Sequence, residues 1–257
     1  MHRLPLRAEN GFLPDLESIP ADVARRAKLL VLNYPNSPTG RVATREFYAQ
    51  VVDFAKRNSI VVVQDAAHIF LTYNGEPLSF LSVPGAKDVG VEVHSLSKGY
   101  HMIGWRMGWV CGHSKIVQAF ADIKDNNDSG QFIAIQKAAA AALDDDSIPR
   151  QVRTKYERRL RKLVEVLTRC GFYCRMPGGT YFLYTRSPRG IKNGPQFATA
   201  EAASQYLISE HSICTVPWDD AGAYLRFSVT YEAADEQAED ALMAETEKRL
   251  RQIQPVF

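Results

Sequence analysis

Lys98 follows two serines, Ser95 and Ser97, and stands eight residues ahead of Arg106. An amine in that setting is a nucleophile toward a carbonyl and a carrier of protons, and hydroxyls with a guanidinium beside it suit a phosphate. Asp65 closes the apolar run Ile60-Val61-Val62-Val63-Gln64, and Arg226 sits far downstream between Leu225 and Phe227. A carboxylate at a strand end can pair with a cation, and a planar guanidinium can take a carboxylate through two parallel hydrogen bonds. Each residue alone also has a plain structural reading: a solvated lysine, an aspartate in a turn, an outward strand arginine. Their joint presence is what points to chemistry.

The apolar run Val89-Gly90-Val91-Glu92-Val93 reads as a buried strand, so the serines and Lys98 fall where a strand leaves its sheet. Open α/β sheets keep their ligand sites at that end. Residues 29–33 and 60–63 read as further buried strands, and residues 21–28 as a short helix. Thr44 is a helix N-cap, with Phe47, Val51, Val52, Phe54 and Ala55 on one apolar face up to Asn58. Near-continuous Val/Ile strands separated by helices predict a mostly parallel sheet covered on both faces. Trp105 and Trp109 are expected as aromatics of the sheet core.

Residues 114–123 and 131–143 read as helices, and a long charged helix starts at Asp146 or Ser147 and is stopped by Gly171. Beyond it, short strands at 172–174, 181–184, 213–216 and 224–229 alternate with helices at 197–209 and 234–253. The chain is therefore expected to divide into a large α/β domain, residues 1–148, and a smaller one, 149–257. Met1 to Pro20 is broken by Pro and Gly, with a possible short edge strand at 2–6.

With 46% hydrophobic and 23% charged residues, 257 residues are enough for a packed core and exclude a disordered tail. The net charge is +2 with both signs interspersed, so no basic face suggests nucleic acid and no polybasic run suggests a membrane surface. Cys111, Cys170, Cys174 and Cys214 have no metal-ligand spacing. They are expected as core or partly buried thiols in a reducing, cytoplasmic setting.

Asn33-Tyr34-Pro35-Asn36-Ser37-Pro38-Thr39-Gly40, then Asp65-Ala66-Ala67-His68, then Ser95 to Lys98 running on to Gly104-Trp105-Arg106-Met107-Gly108-Trp109, occur in an order and spacing that carry a family likeness. Together they resemble the aspartate-aminotransferase fold group of pyridoxal-phosphate enzymes. The wording of residues 11–16, 44–48 and 128–132 is most similar to its LL-diaminopimelate aminotransferase branch. The resemblance runs from about Pro5 to the C-terminus. It implies the type I fold of pyridoxal-phosphate transferases, a large domain with an incomplete front and a small C-terminal domain, and transfer of an amino group between an amino acid and a 2-oxo acid. The amino acid would be LL-diaminopimelate-like, or aspartate, alanine or glutamate.

By this resemblance Lys98 is the covalent anchor and proton carrier, and Asp65 partners the pyridine nitrogen. Ser95, Ser97 and Arg106 hold the phosphate, and Ala67 lies against the ring. His68 stands where the family usually has a tyrosine. Ser37 stands where it usually has an asparagine, often at a cis peptide, so the geometry shifts there, Asn36 compensates, or cofactor binding weakens. Arg226 matches the clamp for the substrate α-carboxylate. Asn126 is either a substrate contact across a dimer interface or a helix-end polar residue. The family's N-terminal arm, phosphate loop and ring-stacking aromatic have no counterpart in residues 1–20, and a bare sheet edge with exposed apolar surface is expected. The chain reads as a fragment, as half of a split enzyme with a complementing chain, or as a non-catalytic relative that binds a partner. A homodimer is the family's usual assembly, and other chemistry on the same cofactor, such as β-elimination, stays open.

Overall fold

The computed structural model describes all 257 residues, Met1–Phe257, and contacts divide them into two units. The first, Met1–Ser37 with Arg41–Arg153, runs α1 (Ala21–Arg26), β1 (Leu29–Asn33), α2 (Arg45–Asn58), β2 (Val61–Asp65), α3 (Ala86–Val89), β3 (Gly90–Ser95), α4 (Leu96–Gly99), β4 (Gly108–Gly112), α5 (Ser114–Asn127) and α6 (Ile133–Leu143). The strands lie in the order β1-β2-β3-β4; the first three are parallel and β4 pairs antiparallel with β3. Thr44 caps α2 by accepting from the Phe47 amide at 3.1 Å, a bond worth about 1 kcal/mol. That cap starts the helix so that Phe47, Val51, Val52, Phe54 and Ala55 cluster with Leu30, Leu32 and Val62 of the sheet.

The opposite face is different. Alternation puts Leu29, Val31 and Asn33 of β1, Asp65 of β2, and Val93 and Ser95 of β3 on one side. There Leu29 is 61% exposed, Val31 65% and Val93 38%, whereas Val91, on the same side of β3, is buried. The expectation of a sheet covered on both faces therefore fails on this side, because α2 packs on the Leu30/Leu32 face and no helix of the unit lies over Leu29 and Val31. The expected bare edge and apolar surface are present at β1, and Phe120, Ile123, Phe132 and Ile133 of α5 and its approach to α6 are exposed as well. A Leu29→Thr, Val31→Thr pair keeps β-propensity while removing apolar surface, so it is expected to shift the urea-unfolding free energy by no more than about 0.5 kcal/mol per site. A loss of several kcal/mol would show that the face is covered.

Three local expectations are corrected. Trp105 is 47% exposed in a single 3-10 turn, Ile103–Trp105, so only Trp109 joins the sheet. Residues 2–6 and 172–174 are not strands. Around Tyr173 one side-chain bond, from the Thr185 hydroxyl to the Tyr173 carbonyl at 2.9 Å, stands where a ladder would be, and Phe172 is buried against the Phe227 ring. Cys214 is exposed, whereas Cys170 is buried and Cys111 and Cys174 half-buried.

The second unit, Pro38–Gly40 with Thr154–Phe257, begins inside α7 (Ser147–Arg169) and continues through β5 (Phe182–Arg186), β6 (Gly190–Ile191), α8 (Ala200–His211), β7 (Val216–Trp218), β8 (Tyr224–Ser228), α9 (Glu236–Leu250) and β9 (Pro255–Val256). Its sheet is antiparallel in the order β5-β8-β7, and β6 pairs with β9 apart from it. Leu183, Leu225 and Phe227 point into the core, which Leu160 and Leu167 of α7, Leu207 of α8 and Leu250 of α9 also fill. No helix of the chain is long and apolar enough to cross a membrane.

Candidate active site

Ser95 ends β3 and caps the short α4, its hydroxyl accepting from the Ser97 amide at 3.1 Å. Ser97 and Lys98 occupy the turn that this cap starts, and all three residues are half-buried. Gly99 is buried directly behind them, where an added Cβ would come within 2.6 Å of the Phe70 side chain. A larger residue after Lys98 would push α4 off Phe70.

Asp65 ends the neighbouring strand β2, with its Cα in register with Val93, and the Ala66 amide donates to the Val93 carbonyl at 2.8 Å. One carboxylate oxygen accepts from the Ala67 amide at 2.9 Å, so the acid is held in its own turn and half-buried. Asp65 and Ser95 thus stand at the carboxyl ends of adjacent parallel strands, on the bare face of the sheet. Ala67 is half-buried beside Asp65, and His68 is buried one residue on.

Arg106 is brought back by β4. Gly108 lies opposite Ser95, the Leu96 amide donates to the Met107 carbonyl at 3.2 Å, and an added Cβ at Gly108 would sit 2.6 Å from the His94 carbonyl oxygen. That close approach sets Arg106 two residues from Ser95's partner. The guanidinium is exposed and donates to the Ile103 carbonyl at 3.1 Å.

Ser37 is half-buried in the loop after β1, and its amide donates to the Asn33 side-chain carbonyl at 2.9 Å. The Asn33 side-chain Nδ2 in turn donates to the Asp65 carbonyl at 3.2 Å. Sequence reasoning missed Asn33, which ties the Pro-rich loop to the end of β2; an asparagine closing a strand before a turn was the signal. The cis peptide of this loop is Tyr34–Pro35, not the bond before Pro38. Asn126 is exposed on α5 with its side-chain amide donating to the Asp122 carbonyl at 2.7 Å.

In the second unit Arg226 lies on the face of β8 opposite Leu225 and Phe227, in register with Tyr184 on one side and Val216 on the other. Its guanidinium carbon is 4.1 Å from the Phe182 ring centroid and 5.6 Å from that of Trp218. The side chain is half-buried, its Nε is buried without a hydrogen-bond partner, and burial holds its pKa below the usual arginine value.

A mostly parallel sheet with a lysine, an acid and hydroxyl donors at its carboxyl ends, and a second unit built on a small antiparallel sheet, are the parts of the type I fold of pyridoxal-phosphate-dependent transferases. Substrate-bound BacF from Bacillus subtilis superposes over 100% of this chain and 63% of its own, with a TM-score of 0.89 and 32% identity. The model of the aminotransferase class I and II family matches residues 1–244, and the chain belongs to that family. LL-diaminopimelate aminotransferase of Methanocaldococcus jannaschii is 55% identical over 97% of this chain. The enzyme of the same name from Methanococcus maripaludis is 51% identical over 99%. The chain spans 62% of the length of each of these two relatives.

Proposed function

We propose that this chain carries the lysine, the ring acid and the substrate-carboxylate arginine of a pyridoxal-phosphate-dependent aminotransferase that moves an amino group between an amino acid and a 2-oxo acid. One observation carries the reading: Lys98, Asp65, Ser95 and Ser97 come from two adjacent parallel strand ends, with Arg106 returned to the same edge by β4. That donor set fits the cofactor, since it offers an amine for the aldehyde, a carboxylate for the ring nitrogen, and two hydroxyls with a guanidinium for a dianionic phosphate. Bound there, pyridoxal phosphate would supply an electron-accepting ring that none of the side chains can provide.

Lys98 would hold the cofactor through its aldehyde carbon, with loss of water, and its amine, once free, would carry the proton of the substrate Cα. Asp65 would keep the ring nitrogen protonated, its position fixed by the Ala67 amide. Ala67 leaves room against the ring, while Ser37 and His68 are the candidates for its phenolic oxygen. Arg226 would take the substrate α-carboxylate in the plane of its fork, and Asn126 a second part of the substrate from across a subunit boundary. The names of the similar enzymes support an LL-diaminopimelate-like amino acid, with aspartate, alanine or glutamate as other candidates. Four free thiols suit a cytoplasmic setting.

The bare face beside Asp65, together with the greater length of the relatives, favours a second reading as well: the site is completed by further polypeptide, in a homodimer or a complementing chain. A non-catalytic subunit with an idle lysine is the limiting form of that reading. Incubation with pyridoxal phosphate followed by borohydride separates them, because mass spectrometry is expected to find one pyridoxyl group on Lys98. If label is absent from Lys98, or is spread over surface lysines, the cofactor assignment is wrong.

A further inference from the structure

The face of the second unit's sheet that carries Arg226 is rich in aromatic rings. Phe182 of β5 and Trp218 of β7 flank the guanidinium at 4.1 and 5.6 Å. Tyr184, its cross-strand neighbour, stacks on Tyr224 with ring centroids 4.4 Å apart and planes 11° apart. No carboxylate of the chain pairs with Arg226, although its Nε is shielded from solvent. An arginine buried this far usually meets an acid or a carbonyl, because an unmet buried donor is costly. Here aromatic rings take the place of the acid.

We propose that Phe182 and Trp218 are positioning residues, holding the Arg226 guanidinium by cation–π attraction so that its donor edge is presented, dry and in one orientation, to a planar carboxylate. The inference rests on the reading of Arg226 as the substrate-carboxylate site and assigns two further residues to it. Rings cover a guanidinium by its faces and leave its in-plane N–H groups for an acceptor, whereas a protein carboxylate would occupy those same N–H groups. An arginine side chain has much rotamer freedom to lose on binding, and a sleeve that removes it beforehand strengthens ligand binding without touching the ligand. Phe182 is the nearer ring, so it is the principal holder.

Ring fluorination tests this, since each fluorine drains the π face while barely changing the ring's size. The 257-residue chain, prepared with one, two or three fluorines on the Phe182 ring, is titrated with succinate and the dissociation constant is read by isothermal calorimetry. The dissociation constant is expected to rise stepwise, to about tenfold at three fluorines, with unchanged thermal unfolding. Arg226→Lys is expected to raise it more than tenfold. A dissociation constant flat across the fluorine series, with Arg226→Lys still damaging, overturns the aromatic sleeve and leaves the clamp standing. If Arg226→Lys is also without effect, the carboxylate reading of Arg226 falls and the sleeve falls with it.

Discussion

Lys98→Ala is expected to lower the rate of the amino-group transfer proposed above by about 10²–10⁴-fold, the range ordinarily lost with a positioned proton carrier. The substitution should leave the fold intact. Lys98 is only half-buried, and its turn is held by other groups: the Ser95 cap on the Ser97 amide, the close seat of Gly99 on Phe70, and the Leu96 amide on the Met107 carbonyl. A loss of activity with unchanged unfolding therefore reports chemistry. Lys98→Arg is expected to be no better than alanine, because a guanidinium stays protonated at any working pH and cannot give and take the proton. Methylamine in the assay should restore part of the rate to Lys98→Ala and none to Lys98→Arg, since only the alanine leaves space for a small free amine. A Lys98→Ala protein that turns over at the parent rate would remove the lysine from the mechanism.

How much of this was readable beforehand depended on whether the signal was local. β1, β2 and β3 are short Val/Leu-rich runs whose strand character follows from composition, although Leu29, Val31 and Val93 are exposed, and α2 announces itself by Thr44 and a one-sided apolar stripe. β4 was not legible. Gly108-Trp109-Val110-Cys111-Gly112 has little strand pattern, and it forms because its glycines allow close approach to β3, where Trp109 stacks on His94 at 5.0 Å. The reverse error arose at 172–174, where aromatic residues suited to a strand find no partner strand, since β-propensity counts only when a neighbour pairs. Ser95, Ser97 and Lys98 are readable as one strand end because they are contiguous, while the tie made by Asn33 is not, because its side chain bonds to a residue 32 positions away. Arg226 was ambiguous for a physical reason: alternation assigns it to the face opposite Leu225 and Phe227 but says nothing of Phe182 and Trp218, which come from other strands.

Glu239→Gln is expected to destabilise the second unit by about 3–5 kcal/mol, a large share of the roughly 5–15 kcal/mol that holds a domain folded. Glu239 is 2% exposed on α9 and collects three cations from α7. Arg158 reaches both its oxygens at 3.0 Å, Arg159 one of them at 2.6 Å, and Lys162 the other at 3.5 Å. Glutamine keeps the volume but removes the one carboxylate that pairs with Arg159, which is 1% exposed and cannot turn to water, while Arg158 keeps Glu236 at 3.0 Å and Lys162 keeps Asp240. Arg159→Met should cost less, about 1–3 kcal/mol, since Glu239 keeps Arg158 and Lys162 and the main loss is of hydrogen bonds to the Val229 and Tyr231 carbonyls. Those carbonyls follow β8 directly, so both variants should also blunt carboxylate binding at Arg226. The hydrogen bonds from Arg158 outweigh the effect of burial and, with Arg159, bring the Glu239 pKa from its ordinary 4.5 down to about 2. A depressed carboxylate gives its full stability above the unfolded value and loses it as protons bind, so the parent should weaken as pH falls from about 4.5 toward 2. In Glu239→Gln that acid limb should be shallower yet not flat, because Arg169 and Arg251 hold Glu247 at about 2 as well. Urea unfolding at a series of pH values measures both effects. A Glu239→Gln loss below about 1 kcal/mol with an unchanged acid limb would mean that Glu236, Asp240 and the Val229 and Tyr231 carbonyls suffice for the three cations, and that Glu239 is not the anchor beneath β8.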